Sequence, residues 1–137
     1  MTNMNHKQIL KFLLYAGALY FFGVAAVHSI GLKIPGLFVY FNVPSYAYQD
    51  RIISFLAFGW SMFFYLTAKK ADSDKIKIIL TIGFTAILAL LLNTLITDFY
   101  EFGADIQKRP FLMITAGLFI YWLLLLFFSR KLLKGNN

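Results

Sequence analysis

The chain has 137 residues, of which 60% are hydrophobic and only 14% charged, and its formal net charge is +7. Soluble domains average about 25% charged residues, so this composition excludes an ordinary soluble domain and indicates a membrane protein. The chain has no cysteine, which excludes disulfide, thiolate and Cys-ligated metal chemistry. The basic residues form no patch of their own, so no nucleic-acid partner is predicted despite the positive charge.

Four stretches without a charged side chain are long enough to cross a bilayer. A helix rises about 1.5 Å per residue and the hydrocarbon core is about 30 Å thick, so about 20 apolar residues span it. We therefore predict an all-α integral membrane four-helix bundle that runs up-down-up-down and forms one domain over residues 1–137. The predicted spans are about residues 9–32, 51–68, 76–97 and 110–129.

The first outer connection is predicted to be elaborate. Pro35 and Gly36 are expected to break the first helix, and the apolar segment 34–43 is too short to cross. Its aromatic residues favour the headgroup boundary, so we expect it to lie in the outer interface. Pro44 suits the first turn of the second helix, which is expected to begin before the bilayer proper.

The later connections carry helix start signals. The stretch 69–75 is short and charged, which predicts that spans two and three are antiparallel neighbours. Asp72 is expected to cap helix three, because a carboxylate accepts a free N–H and suits the positive end of the helix dipole. The sequence from Lys108 to Pro110 predicts the start of helix four.

The distribution of positive charge orients the chain. Nine of the 13 Lys and Arg would lie on the side that holds both termini. The positive-inside rule therefore places the N- and C-terminus in the cytoplasm. These nine residues are Lys7, Lys11, Lys69, Lys70, Lys75, Lys77, Arg130, Lys131 and Lys134.

Span three carries a stripe of small or polar residues that recur every four positions, from Thr81 through Asn93 to Thr97. In lipid, small residues let helices approach closely and polar ones hydrogen-bond across the interface. The stripe is thus expected to be the packing seam of the bundle. The alternative interpretation makes Asn93 a pocket group, and in either case its amide should face the interior.

His28 is the only ionisable side chain well inside an uncharged stretch, and such residues are functional candidates by default. Interfacial anchoring, or a neutral imidazole bonded to a neighbouring helix, would also explain it. The topology brings polar residues of three helices to the same outer level. They form either an outward-opening pocket ringed by aromatic residues or a solvated rim. The candidate binding residues are His28, Tyr46, Gln49, Asp50, Arg51, Ser54, Asn93 and Asp98.

Two local segments resemble small bacterial membrane proteins of the DoxX-like kind. The resemblance rests on Gly31-Leu32-Lys33-Ile34-Pro35, on Val43-Pro44-Ser45-Tyr46 and on the four-span layout. It implies a multi-pass protein of the bacterial cytoplasmic membrane that serves as an accessory subunit, in some members of respiratory or redox complexes. No catalytic residue carries over from it.

The sequence is compatible with three functions. The first is an accessory or ligand-binding subunit whose ligand is held at the outer face, with the bilayer, a membrane protein complex or a small apolar molecule as partner. The second is a membrane-embedded enzyme with His28 as acid or base and Asn93 or Asp98 as its orienting group. The third is a transporter protomer. The residues predict no metal site and no cofactor, because one membrane histidine cannot build a haem or zinc site.

Overall fold

A computed structural model describes residues 5–32, 47–98 and 107–134, and within these ranges the chain is almost entirely α-helical. Four helices are long and apolar enough to cross a membrane, as the uncharged stretches predict. The all-α, four-helix prediction is therefore confirmed. The helices are α1 (His6–Ser29), α2 (Ala47–Lys69), α3 (Ser73–Ile96) and α4 (Lys108–Lys134).

Helix α1 ends earlier than the sequence analysis predicts, and Gly31 rather than Pro35 sets its end. Gly31 has a φ of 66°, a left-handed conformation that glycine adopts without steric penalty. The N–H of Gly31 donates to the carbonyl of His28 at 3.3 Å, and that of Leu32 donates to Val27 at 2.9 Å. These two bonds form a Schellman motif, which satisfies the last carbonyls of the helix. The predicted interfacial segment 34–43 lies outside the described residues.

The predicted start of α3 is confirmed. Asp72 has extended backbone angles, and its Oδ1 accepts the backbone N–H of Lys75 at 2.9 Å. This bond satisfies one of the donors that every helix leaves free in its first turn. Helix α4 begins at Lys108, the first residue of its predicted start signal.

Side-chain donors that bind backbone carbonyls tie neighbouring helices together. Ser61 Oγ of α2 donates to the carbonyl of Ala18 in α1 at 2.8 Å. From α4, the hydroxyl of Tyr121 donates to α1 and the indole N–H of Trp122 donates to α3, each over 2.8 Å. A second contact in each pair fixes the relative directions: His28 meets Asp50, His6 meets Phe128, and Lys108 donates to the carbonyl of Leu95. Helix α1 is therefore antiparallel to α2 and α4, and α3 is antiparallel to α4. The end of α1 therefore lies beside the start of α2.

Helices α2 and α3, which were predicted to be antiparallel neighbours, are joined by a short connection but make few contacts with each other. The pairs α1–α2 and α3–α4 pack most closely, and α1 also packs against α4. Each of α2 and α3 buries one narrow stripe of residues. Helix α2 turns its stripe, from Asp50 through Ala57 to Phe64, toward α1 rather than toward α3.

The hydrophobic core lies toward the end of the bundle that holds both chain termini. It combines the first half of α1, the last part of α2, the start of α3 and the last part of α4. Leu14 and Ile76 are its most completely enclosed apolar side chains.

The small and polar stripe of α3 is not a packing seam, so that prediction is wrong. Thr81, Thr85, Ala89 and Asn93 are exposed, and the buried face of the helix runs instead through Ile76, Leu80, Ile87 and Thr94. One residue step turns a helix by about 100° because a turn takes 3.6 residues, so Leu80 and Thr81 belong to different faces. The stripe points away from α4, against which α3 packs.

Candidate functional site

The candidate site is built around a contact between α1 and α2. Nδ1 of His28 lies 3.0 Å from Oδ1 of Asp50, and the two residues are 22 positions apart in the sequence. Only 14% of the His28 side chain and 7% of the Asp50 side chain are exposed. A carboxylate this buried is held by hydrogen bonds and charge rather than by water. The pair, which we call the His28–Asp50 pair, is therefore an enclosed contact rather than part of a solvated rim.

Local structure places both members of the pair. His28 lies in the last turn of α1, where the helix dipole favours positive charge. Asp50 lies in the first turn of α2, where the dipole favours a carboxylate. Because the two helices are antiparallel, these turns are side by side. The same geometry that stabilises each charge at its own helix end also brings the two groups into contact.

A groove lies beside the pair, on the outer face of α1 and α2. Its volume is about 620 Å³, and its polar lining comes from Ser29, Arg51 and Ser54. Phenylalanine rings from both helices make up most of its remaining lining. We call it the α1–α2 groove. The lining residues are Phe22, Ala25, Ala26, Ser29, Arg51, Ser54, Phe55 and Phe58.

The charge of Arg51 is not neutralised by its neighbour in the sequence. Asp50 faces α1 and pairs with His28, whereas Arg51 is exposed on the groove side of α2. Arg51 makes no ion pair or hydrogen bond with any residue that the structure describes. Counting only described residues, the groove therefore has at its end one cationic group without an ion-pair partner, and apolar rings lie along the rest of its length.

The structure brings together four of the predicted site residues. His28 and Asp50 form the pair, and Arg51 and Ser54 line the groove beside it. Gln49 is an exposed residue in the first turn of α2 and lines neither feature. Tyr46 lies outside the described residues.

The two predicted contributors from α3 stand apart from the pair. Asn93 is exposed, and its Oδ1 accepts the hydroxyl of Thr97 at 3.2 Å within the same helix. Asn93 thus does not face the bundle interior as expected, because the face that carries it turns away from the helices that pack on α3. Asp98 is exposed and follows the last turn of α3. Asp50, rather than a residue of α3, is the carboxylate that contacts His28.

Ser29 and the phenylalanines of the groove were not among the predicted site residues. Phe55 and Phe58 are three residues apart and so share a face of α2, next to the face of Asp50 and Ala57. That spacing was readable from the sequence. The sequence does not give the register of α1 against α2, and this register decides whether Phe22 lies opposite Phe55 and Phe58.

Comparisons of the chain with protein-family models, curated proteins and solved structures find no match. The resemblance to DoxX-like proteins accordingly stays a prediction.

Proposed function

We propose that the protein is a multi-pass integral membrane protein that binds an amphipathic molecule with an anionic headgroup in the α1–α2 groove, as an accessory or ligand-binding subunit. The observation that carries this proposal is the polar-to-apolar gradient along the groove. The antiparallel register sets Ser29 and Arg51 at its end and Phe22 and Phe58 farther toward the middle of the helices.

Each part of the groove suits one part of such a ligand. The guanidinium of Arg51 can bind a carboxylate or phosphate in two parallel hydrogen bonds, and its charge has no internal partner among the described residues. The phenylalanine rings offer apolar surface for a hydrocarbon chain. A ligand that lies along the groove would keep its head near the membrane boundary and its tail in the hydrocarbon.

The orientation of the chain decides on which side this headgroup is bound. The excess of Lys and Arg at the end that holds both termini supports a cytoplasmic N- and C-terminus, which puts the groove at the outer face. A reporter that is active only in the cytoplasm should be active when fused after Asn137. Activity of an extracytoplasmic reporter at that position would place the groove on the cytoplasmic side instead.

The headgroup proposal is tested by comparing two arginines at the same end of the bundle. Binding of phosphatidylglycerol and phosphatidylcholine to the purified protein is measured by native mass spectrometry. We expect the wild type to prefer the anionic lipid and Arg51→Gln to lose that preference. Arg109→Gln is the matched control, because Arg109 is an exposed cation in the first turn of α4 and is not part of the groove. Equal loss in both variants, or no preference in the wild type, would contradict the proposal.

A second candidate function is supported by the His28–Asp50 pair itself. A carboxylate that contacts Nδ1 fixes the tautomer and orientation of an imidazole, as in catalytic histidines that act as acid or base. In this case Asp50 would be the orienting residue, and the amphipathic molecule in the groove would be a substrate rather than a ligand.

Chemical modification separates these two functions. A histidine that acts on a molecule in the groove must be reachable, so diethyl pyrocarbonate should modify His28, and excess phosphatidylglycerol should slow that reaction. His6 at the other end of α1 is the internal control and should react at a rate that the lipid does not change. Complete resistance of His28 in the absence of lipid would exclude the enzymatic function and leave ligand binding as the better proposal.

A further inference from the structure

A second cavity lies inside the bundle, between all four helices. Its volume is about 600 Å³, and it includes Tyr20 of α1, Trp60 of α2, Gly83 of α3 and Trp122 of α4. It is separate from the α1–α2 groove, with which it shares no lining residue. We call it the central cavity.

The central cavity is elongated and uncharged. On α3 its lining runs from Ile79 to Leu90, which corresponds to about 16 Å along the helix axis, or about half of a bilayer's hydrocarbon thickness. None of the described residues that line it is Lys, Arg, His, Asp or Glu. Protein interiors are close-packed, and a buried water needs two to four polar partners, so an apolar space of this size suits apolar matter better than water.

Four described side chains in the lining have a hydrogen-bond donor, and two of them already donate to backbone carbonyls. The hydroxyl of Tyr121 donates to the carbonyl of Leu13, and the indole N–H of Trp122 donates to that of Leu80. The hydroxyl of Tyr20 and the indole N–H of Trp60 bind no residue in the part of the chain that the structure describes. Both stand at the same level, since α1 and α2 are antiparallel and the ring of Phe21 lies 6.3 Å from that of Trp60.

The helix packing shows where a molecule would enter. Helices α2 and α3 make few contacts, so the bundle is least closed on that side. In a membrane this side faces lipid, and a molecule that reaches the cavity there comes from the hydrocarbon layer. Entry through lipid excludes strongly charged molecules, as does a lining without a counter-charge.

We infer that the central cavity binds a neutral lipophilic molecule that has an oxygen acceptor, such as an ester or ketone carbonyl, opposite Tyr20 and Trp60. This inference rests on the proposed insertion into a membrane but not on the headgroup site. The two sites differ in chemistry, because the α1–α2 groove has a cation and the central cavity has only uncharged donors.

Tryptophan fluorescence can report binding in the cavity, because the two tryptophans of the chain, Trp60 and Trp122, both line it. Bromine quenches tryptophan fluorescence on contact. The methyl ester of a dibrominated fatty acid is neutral, apolar and has one carbonyl, so it is titrated into the purified protein in detergent. We expect saturable quenching that the unbrominated ester reverses by competition.

Variants locate the binding. Ala86→Phe places a ring at the lining of the cavity and should weaken the binding of the ester severalfold. Ala89→Phe is the matched control on the same helix, since both alanines are exposed but Ala89 does not line the cavity. Tyr20→Phe removes one free donor at almost constant shape and should also weaken binding, whereas Tyr15→Phe, outside the lining, should not.

These results separate the central cavity from the headgroup site. Arg51→Gln should leave quenching by the ester unchanged, whatever its effect on anionic lipid. Quenching that does not saturate, or that is equal in Ala86→Phe and Ala89→Phe, would overturn the inference. If Ala86→Phe proves unstable, the comparison of Tyr20→Phe with Tyr15→Phe decides, because both variants keep the ring. Equal binding by those two would overturn the assignment of the carbonyl to Tyr20.

Discussion

The side chain of Tyr121 in α4 lies directly against Gly17 in α1. Its hydroxyl passes the glycine to reach the carbonyl of Leu13, and a Cβ atom at Gly17 would collide with that hydroxyl. The same Cβ would also stand 2.6 Å from the ring of Phe64 in α2. Gly17 therefore lets three helices meet at one point within the hydrophobic core.

Gly17→Ala is expected to destabilise the protein. Phe64 is buried and the hydroxyl of Tyr121 is held by its hydrogen bond, so neither can move away freely. Overpacking of this kind typically costs about 1–3 kcal/mol. Gly23→Ala is the control, because nothing lies within 4 Å of a Cβ there and helix propensity favours alanine by up to about 1 kcal/mol. Thermal unfolding in detergent should show a lower Tm for Gly17→Ala alone.

The His28–Asp50 pair should behave as one coupled unit. Asp50→Ala removes the contact to a side chain that is only 14% exposed, which should cost about 1–3 kcal/mol. His28→Ala should cost a similar amount, and the double variant should cost clearly less than the sum, because the contact between the two side chains is lost only once. A double-mutant cycle of unfolding free energies measures this coupling.

An exposed ion pair in the same chain is the control for that cycle. Asp74 and Lys77 lie 3.3 Å apart but are 86% and 61% exposed, and surface pairs contribute at most about 1 kcal/mol. Asp74→Ala should therefore change the Tm little. Strict additivity of His28→Ala and Asp50→Ala would show that the pair does not stabilise the junction of α1 and α2.

The helices were predictable from the sequence because charge marks where a membrane helix stops. Lys69 and Asp72 bracket the connection between α2 and α3, and Asp72 has the side-chain chemistry that a cap needs. The end of α1 was missed because Gly31, in a left-handed conformation, stops the helix before Pro35. Either residue can end a helix, and only the backbone shows that the glycine does so first.

The site was predictable in part, and the errors have one cause. Residues four apart share a helix face, which groups Thr81 with Thr85 and Ala89 with Asn93, but the spacing does not say which way each face points. His28 and Asp50 were both recognised as candidates, yet their contact depends on the register between two helices. The central cavity depends on the shapes of four helices at once, which no local pattern encodes.

The cap of α3 should make stability depend on pH at the acidic end. The hydrogen bonds from the backbone and side chain of Lys75 lower the pKa of Asp72 below its ordinary value of 3.8. The stabilisation from the ionised cap is therefore complete well above pH 3.8 and is lost as the pH falls through the lowered pKa. Asp72→Ala should lower the Tm at pH 7, and its difference from the wild type should shrink below pH 3.8.

Asp72→Asn separates the charge of the cap from its hydrogen bond. Asparagine caps helices about as well as aspartate, so this variant should stay closer to the wild type at pH 7 than Asp72→Ala does. Its Tm relative to the wild type should rise at acidic pH, where the wild type loses its charge. A difference between Asp72→Ala and the wild type that is constant from pH 7 to pH 3 would assign the acid sensitivity to other carboxylates.

Two buried serines should respond in opposite ways to alanine. Ser61 Oγ donates to the carbonyl of Ala18 and joins α2 to α1, whereas Ser73 Oγ is buried without a hydrogen-bond partner among the described residues. Ser61→Ala should cost about 0.6 kcal/mol and at most about 1.7, the range for hydrogen bonds between membrane helices. Ser73→Ala removes an unpaired hydroxyl and should leave the free energy of unfolding unchanged or raise it.

Both residues are less than 10% exposed, so differences in burial do not explain the contrast. A loss of stability in Ser73→Ala as large as that in Ser61→Ala would mean that its hydroxyl binds a group that becomes available only in the membrane.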